Sequence, residues 1–250
     1  MALTNLLSGS FESLVARPVT HVVVEFDPSS RTLLVLFGGI AGGVSMPVYE
    51  FFRQAAALTT SKAFLRDPRR GWYQLGIPGV GESAAAIASH LQAIIARATV
   101  DRVVMAGASA GGFAAILFGT VCAADAVIAF SPQTFIDGAN RARTGDRRWQ
   151  PQIDDVHRAL GDRPATLDLV DVLPAQPGKT SYQIHVSADD ELDMLHAHRI
   201  VDRGRVDIVE HERGGHRLVK TLRDRGLLQP LLRQALGAEV HDEAAGSTVV

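Results

Sequence analysis

The hydrophobic pattern of the chain alternates between two kinds of segment. Runs of consecutive apolar residues, of the kind buried on both faces of a sheet, occur in "RVVMAG", "ADAVIAFS", "SYQIHVSA" and "RVDIVEHE". Around them lie stretches in which apolar residues return every three or four positions. "ESAAAIASHLQAIIARA", "DMLHAHRIV" and "HRLVKTLRDRGLLQPLLRQAL" have this spacing, which lines one face of a helix. "MPVYEFFRQAAAL" has helical spacing too, and "KAFLRD" is a short strand candidate. Nearer the N-terminus, "THVVVEFDPSSRTLLVLFGG" reads as two strands, Thr20–Phe26 and Arg31–Phe37. The Pro and Ser of the intervening Asp27-Pro28-Ser29-Ser30 favour a turn, so the pattern predicts an antiparallel hairpin.

From Leu33 onward strand and helix alternate to the end, which predicts an α/β fold with a mostly parallel central sheet and helices on both faces. Residues 132–180 interrupt the alternation. This stretch is too long for a plain connection and carries short helical pieces, so it is expected to form a small cap insertion over the end of the sheet. The 250 residues, 46% of them hydrophobic, suffice for one full core, and 1–250 reads as a single domain. The small, polar, non-periodic tail at about 238–250 is expected to be disordered. A net charge of −2 gives no electrostatic ground for nucleic acid or an anionic membrane as partner. The N-terminus lacks the basic start and apolar run of a signal peptide, and no apolar run reaches the ~18–20 residues of a membrane span, so the expectation is a soluble cytoplasmic protein. The single cysteine, Cys122, sits in an apolar context and reads as a small core residue, and no Cys/His cluster suggests a metal.

One turn carries chemistry. In "VVMAGASAGGFAAILFG" a strand passes into an apolar helix through Gly107-Ala108-Ser109-Ala110-Gly111-Gly112. A lone hydroxyl among residues with almost no side chain suits a phosphate cradle or a strained turn that holds up a nucleophile. A dinucleotide fingerprint needs G-x-G-x-x-G, and "GASAGG" has Ser109 at the middle glycine. "GGIAGG" misses the spacing, and "GVGESA" at Gly79–Ala84 matches the G-x-G-x-x-A form but follows a poor strand. G-x-S-x-G, by contrast, stands here between a buried strand and a helix, as a nucleophile turn requires. The plainer alternative is that Ser109 merely caps the helix.

A serine attacks only when a base takes its proton and an acid orients the base. His216 stands behind Gly214-Gly215, just past the last strand and at the start of the final helix, and is the candidate base. His211, on or at the end of that strand, reads as a packing or solvent-facing residue. The acid comes from "SYQIHVSADDELDMLHAHRI": Asp189, just past the strand, is the first choice and Asp193, at the helix start, the second, with the other one capping the helix. His196 and His198 are two apart on a helix, point to different faces, and read as structural.

With these residues in place the sequence resembles the α/β-hydrolase superfamily from about Leu33 to Ala235. "GIPGVGES" looks like the family's G-x-G-x-S loop, and "HVSADDELDMLHAHRI" is similar to its H-G-x-x-D-x-x-V-P segment, a register that puts Asp189 on the acid. "FGGIAGG" occupies the oxyanion loop, with Phe37 where many members have histidine. The resemblance implies that Ala110 and Gly39 (or Ile40) donate backbone N–H groups to an oxyanion. "FLRDPRRGWYQLGI" with "SAGGFAAILFG…AFSPQTF" further resembles uncharacterised hydrolase-like proteins of bacterial polysaccharide and specialised-metabolite clusters, in which an acid followed by x-x-His-Ala is the steadier feature. That register favours Asp193.

The leading expectation is a serine hydrolase cleaving an ester, thioester or other acyl group of a small-molecule or carrier-bound substrate through an acyl-enzyme, with no cofactor and no metal. The alternatives are an acyltransferase or cyclase using the same triad in a biosynthetic pathway, and a catalytically silent binding protein on the same fold. Arg66 and Trp149 are candidate substrate contacts. The arginines beside Trp149, Arg141, Arg143, Arg147 and Arg148, suit either an acidic group or, more simply, a solvated basic loop.

Overall fold

The computed structural model describes residues 21–40, 54–55 and 58–237. Seven strands, β1 (Val22–Glu25), β2 (Thr32–Phe37), β3 (Ser61–Leu65), β4 (Arg102–Ala108), β5 (Ala126–Phe130), β6 (Ser181–Ser187) and β7 (Arg205–His211), form one sheet in the order β1-β3-β2-β4-β5-β6-β7. All neighbours run parallel except β1 and β3. The described helices are α1 (Ala84–Ala98), α2 (Ala110–Val121), α3 (Gly138–Thr144), α4 (Gln150–Leu160), α5 (Glu191–His198), α6 (Leu218–Asp224) and α7 (Leu228–Leu236).

The period-two geometry of the strands divides the core. Leu33, Val35 and Phe37 of β2 face a core shared with Ile87 and Leu91 of α1, Phe113 and Leu117 of α2, and Ile153 of α4. Leu34 and Leu36 face the other side, where α6 and α7 supply Leu218, Leu222, Leu228 and Leu232. Both faces of β2 are therefore dry, and its run of consecutive apolar residues follows from that. None of the described helices is long and apolar enough to cross a membrane.

The expected hairpin is corrected. The turn forms, with the Ser30 N–H donating to the Asp27 carbonyl at 3.1 Å, and Asp27 Oδ1 accepting from the Ser29 amide at 2.9 Å. The strands on either side of it do not pair. β1 lies antiparallel to β3, with Val22 opposite Leu65 and Glu25 opposite Lys62, and β3 separates it from β2. β3 is buried along its whole length and needs neighbours on both edges, whereas β1 alternates in exposure as an edge strand does. Of "MPVYEFFRQAAAL" only Gln54, Ala55 and Leu58 fall among the described residues, and the first two are helical. The tail at 238–250 lies outside them. The stretch from 132 to 180 contains α3, α4 and a 3₁₀ turn at Leu169–Asp171.

The sheet also buries a histidine. His185 of β6 has no exposed surface, stacks on Phe130 at 4.9 Å and His211 at 5.3 Å, and bonds to Gln183 and to His211, each at 3.0 Å. Burial, helped by the neighbouring His211, pushes its pKa down to about 3 from 6.5. Between those values the unfolded chain holds more protons than the folded one, so stability falls as pH falls through this range. Urea unfolding should lose about 1.4 kcal/mol per pH unit from this residue below roughly pH 6. His185→Gln should remove that share of the slope; a variant with the parent's full slope would assign the proton elsewhere.

Candidate active site

Ser109 stands alone between β4 and α2, with φ 55° and ψ −122°. A non-glycine residue pays roughly 1–3 kcal/mol for such backbone angles. The glycines around it answer to distance. A Cβ on Gly107 would lie 2.1 Å from the Gly111 carbonyl oxygen, and one on Gly111 would lie 2.3 Å from that of Phe37. Only hydrogen fits at either place, and the helix can then start hard against β2 and β4. The Ser109 N–H donates to the Phe130 carbonyl at 2.9 Å, which pins the turn to β5. The side chain makes no capping bond to α2. Its Oγ lies 2.9 Å from His216 Nε2 instead.

His216 sits in a 3₁₀ turn, Gly215–Arg217, entered through Gly214 and Gly215 at φ 148° and 53°. Its Nδ1 is 2.9 Å from both carboxylate oxygens of Asp193. The carboxylate that the imidazole meets is thus Asp193, the second choice, and not Asp189, the first. Asp189 accepts from Ser187 Oγ at 2.6 Å and from the Gly215 and Gly214 amides at 2.9 and 3.4 Å. It holds the turn that carries His216 and does not bond to the imidazole. Helix α5 starts two residues later, and its first turn rotates Asp193, which has no exposed surface, inward beneath the ring. The cap of α5 is neither candidate: Asp190 accepts from the Asp193 amide at 3.0 Å.

Asp193 has a second partner. Arg148, from the loop between α3 and α4, donates to its Oδ1 at 2.7 Å and pairs with Asp146 at 3.0 Å and Asp190 at 3.7 Å. Burial alone would raise the Asp193 pKa, but hydrogen bonds to His216 and Arg148 and their charges outweigh it and hold the carboxyl below its ordinary value. Behind this pair the Asp146 carboxylate accepts from His196 Nε2 at 3.0 Å, while the Thr134 amide donates to His196 Nδ1 at 2.9 Å. A backbone amide can only donate, so His196 is the neutral Nε2–H tautomer, and its burial lowers its pKa. His198 is exposed and meets Glu210, so the two histidines do part as the helical spacing requires.

The remaining candidates fall as follows. Ala110 is the first residue of α2, where an N–H has no carbonyl of its own helix to bond. Gly39 lies against the end of β4, where its Cβ would stand 3.3 Å from the Ala108 carbonyl, and Ile40 follows it. The Trp149 ring tilts over His216 at 4.8 Å. Arg66 is buried at the end of β3 with its guanidinium over the Phe64 ring. Of the four cap arginines, Arg143 and Arg147 are exposed while Arg141 and Arg148 turn inward. Among the described residues, Asp190, Asp193 and His216 form the one group spaced to hold a metal ion, and there the Arg148 guanidinium stands beside both carboxylates. Arg148 was legible only as part of a basic run, and Gln133, whose amide reaches Ser109 Oγ at 3.2 Å, carried no signal of its own.

No protein-family model and no curated protein matches the chain. Solved structures do. A proline iminopeptidase-related protein from Thermus thermophilus superposes with a TM-score of 0.57 at 15% identity, over 88% of this chain and 93% of that one. The capsule O-acetyltransferase of Neisseria meningitidis serogroup A gives 0.56 at 12%, over 85% and 90%. Est1E from Butyrivibrio proteoclasticus gives 0.54 at 13%, over 86% and 94%. The chain has the α/β-hydrolase fold.

Two glycines separate close approach from mere flexibility. Gly111→Ala should cost about 3 kcal/mol or more, because the methyl meets backbone. The melting temperature should then drop by at least about 6 °C. Gly138→Ala, whose Cβ meets nothing within 4 Å, should stay within about 0.5 kcal/mol of the parent. Equal melting temperatures for the two variants would contradict the packing of the turn.

Proposed function

We propose that this chain, built on the α/β-hydrolase fold, is a serine hydrolase that cleaves an ester, thioester or other acyl bond through Ser109, His216 and Asp193. The supporting observation is the unbroken relay from Ser109 Oγ to His216 Nε2 and from His216 Nδ1 to the buried Asp193. Asp193 fixes the tautomer: with Nδ1 donating to the carboxylate, Nε2 is left to accept a proton. Ser109 Oγ attacks the acyl carbon as its proton passes to Nε2, and the carbonyl oxygen becomes an oxyanion. The Ala110 N–H at the start of α2, with Gly39 or Ile40 as second donor, meets that charge. Collapse of the intermediate sends the proton from Nε2 to the leaving group and leaves the acyl group on Ser109. Water, deprotonated by the same imidazole, then releases the acid.

The meningococcal protein is named an O-acetyltransferase, and a further similar structure, from Nitrososphaera gargenis, is named among carboxylesterases. The acyl-enzyme proposed here has the same choice of acceptor, water or a hydroxyl group, and the substrate carries its acyl group on a small molecule or a carrier. A fluorophosphonate probe should label Ser109, and Ser109→Ala should lose both labelling and hydrolysis of short p-nitrophenyl esters with its melting temperature unchanged. Labelling that persists in the alanine variant would remove Ser109 from the reaction. Product analysis with added alcohols distinguishes transfer from hydrolysis.

The two aspartates should separate in rate. Asp193→Asn should lower kcat by roughly 10³–10⁴, because the amide presents the wrong partner to Nδ1 and disturbs the tautomer. Asp189→Asn should cost far less, about tenfold, because it weakens two bonds to the turn and leaves the relay. The reverse order of losses would return the acid to Asp189.

A further inference from the structure

The reacting oxygen has a second neighbour. Gln133 follows β5 through Ser131-Pro132, is 2% exposed, and presents its side-chain amide to Ser109, with Nε2 at 3.2 Å and Oε1 at 3.3 Å from Oγ. Which amide atom faces the serine follows from a third residue. The indole N–H of Trp72, a group that can only donate, reaches Gln133 Oε1 at 3.0 Å. Oε1 is thereby committed as acceptor, and the Nε2–H is left to donate to Ser109 Oγ. The serine proton is already directed at His216 Nε2, 2.9 Å away. Oγ therefore donates to the base and accepts from Gln133.

The arrangement is built at some cost. Trp72 and Tyr73, both without exposed surface, have positive φ of 49° and 63°, angles that bulky residues adopt only when their surroundings hold them there. The buried Asp67 carboxylate accepts from the Gly71 and Tyr73 amides at 2.7 and 2.8 Å. Gln74 donates to the Trp72 carbonyl at 3.2 Å and accepts from the Thr166 amide at 2.9 Å, tying the segment to the far end of the cap. The Tyr73 hydroxyl reaches the Gly38 carbonyl at 2.8 Å, beside the proposed oxyanion donor Gly39. The "RDPRRGWYQ" stretch thus braces the Ser109 centre through Gln133 and Gly38.

We propose that Gln133 is a catalytic residue of the Ser109 centre: its amide N–H fixes Oγ in the rotamer that faces His216 and stays on that oxygen while the proton leaves, stabilising the charge that develops there. Trp72 is the positioning residue that keeps the amide from flipping. The proposal rests on the serine-hydrolase reading and adds to it a donor to the nucleophile itself, separate from the two that meet the substrate oxygen.

Fluorophosphonate inactivation reads the nucleophile without knowledge of the substrate. Ser109 Oγ bonds to phosphorus, fluoride leaves, and the Oγ proton passes to His216. Gln133→Met keeps the length of the side chain and loses the donor. It should lower the maximal inactivation rate by about 10–100-fold with little change in the half-saturating probe concentration. Trp72→Phe keeps the ring packing and loses the indole N–H, and should lower the rate by about 3–10-fold. Combined, the two should lose no more than Gln133→Met alone, a non-additivity that mere loosening of the fold does not produce. Equal rates for Gln133→Met and the parent would overturn the assignment and leave the triad standing. Should Gln133→Met not yield folded protein, an unchanged rate in Trp72→Phe would overturn it instead. If the parent itself is not labelled at Ser109, the hydrolase reading and the assignment fall together.

Discussion

A carboxylate cut off from water constrains this molecule more than any other single group. Asp193 has no exposed surface, and an ionised carboxylate in that position survives only with opposite charge and hydrogen bonds around it. Three parts of the chain supply them. The turn after β7 brings His216, the loop between α3 and α4 brings Arg148, and the start of α5 brings the backbone geometry that Asp190 caps. Removing any one would leave a buried charge short of partners. The burial that makes the carboxylate expensive is also what lets it hold an imidazole in one orientation.

Arg148 gives the stretch between β5 and β6 a part in the site beyond covering it. The guanidinium joins Asp146 of the same stretch to Asp190 and Asp193 at the start of α5. Asp146 continues inward to His196, and His196 to the Thr134 amide just past β5. The stretch is therefore fastened through Arg148, Asp146 and Thr134 to α5, the helix that carries Asp193. A stretch held only by apolar contact could tilt without disturbing Asp193; this one cannot move far without breaking charged pairs in which Arg148 is 20% exposed and the aspartates 1%.

What could be read from the sequence was whatever is encoded locally. A strand, five small residues and a helix specify the Ser109 turn, and two glycines behind a strand specify the His216 turn, so each appears as a short pattern. The carboxylate that meets His216 did not, because Asp189, Asp190 and Asp193 lie close together in the chain and their contacts depend on where α5 begins. A shift of one residue in that start would bring Leu192 or Met194 to the place of Asp193 and turn its carboxylate away from the ring. The β1–β2 hairpin failed for a related reason. Its turn is local and forms, but strand partnership is decided by β3, about thirty residues further on. Arg148 and Gln133 meet their partners across 45 and 24 residues of sequence, a separation over which a basic run or a lone glutamine says nothing.

Direction in the sheet explains why such distant residues converge. β2, β4, β5, β6 and β7 run parallel, so all five release the chain at the same edge. Gly39 follows β2, Ser109 follows β4, Gln133 follows β5, Asp193 follows β6 and His216 follows β7. In an antiparallel sheet alternate members of this set would emerge at opposite edges, about a strand's length apart. Parallel pairing demands long crossovers, and here the crossovers do more than return the chain: the one between β5 and β6 carries Arg148 and Trp149 back over the edge where the set assembles. The site is thus a consequence of strand direction, and individual side chains then settle which of the residues delivered to that edge touch Ser109.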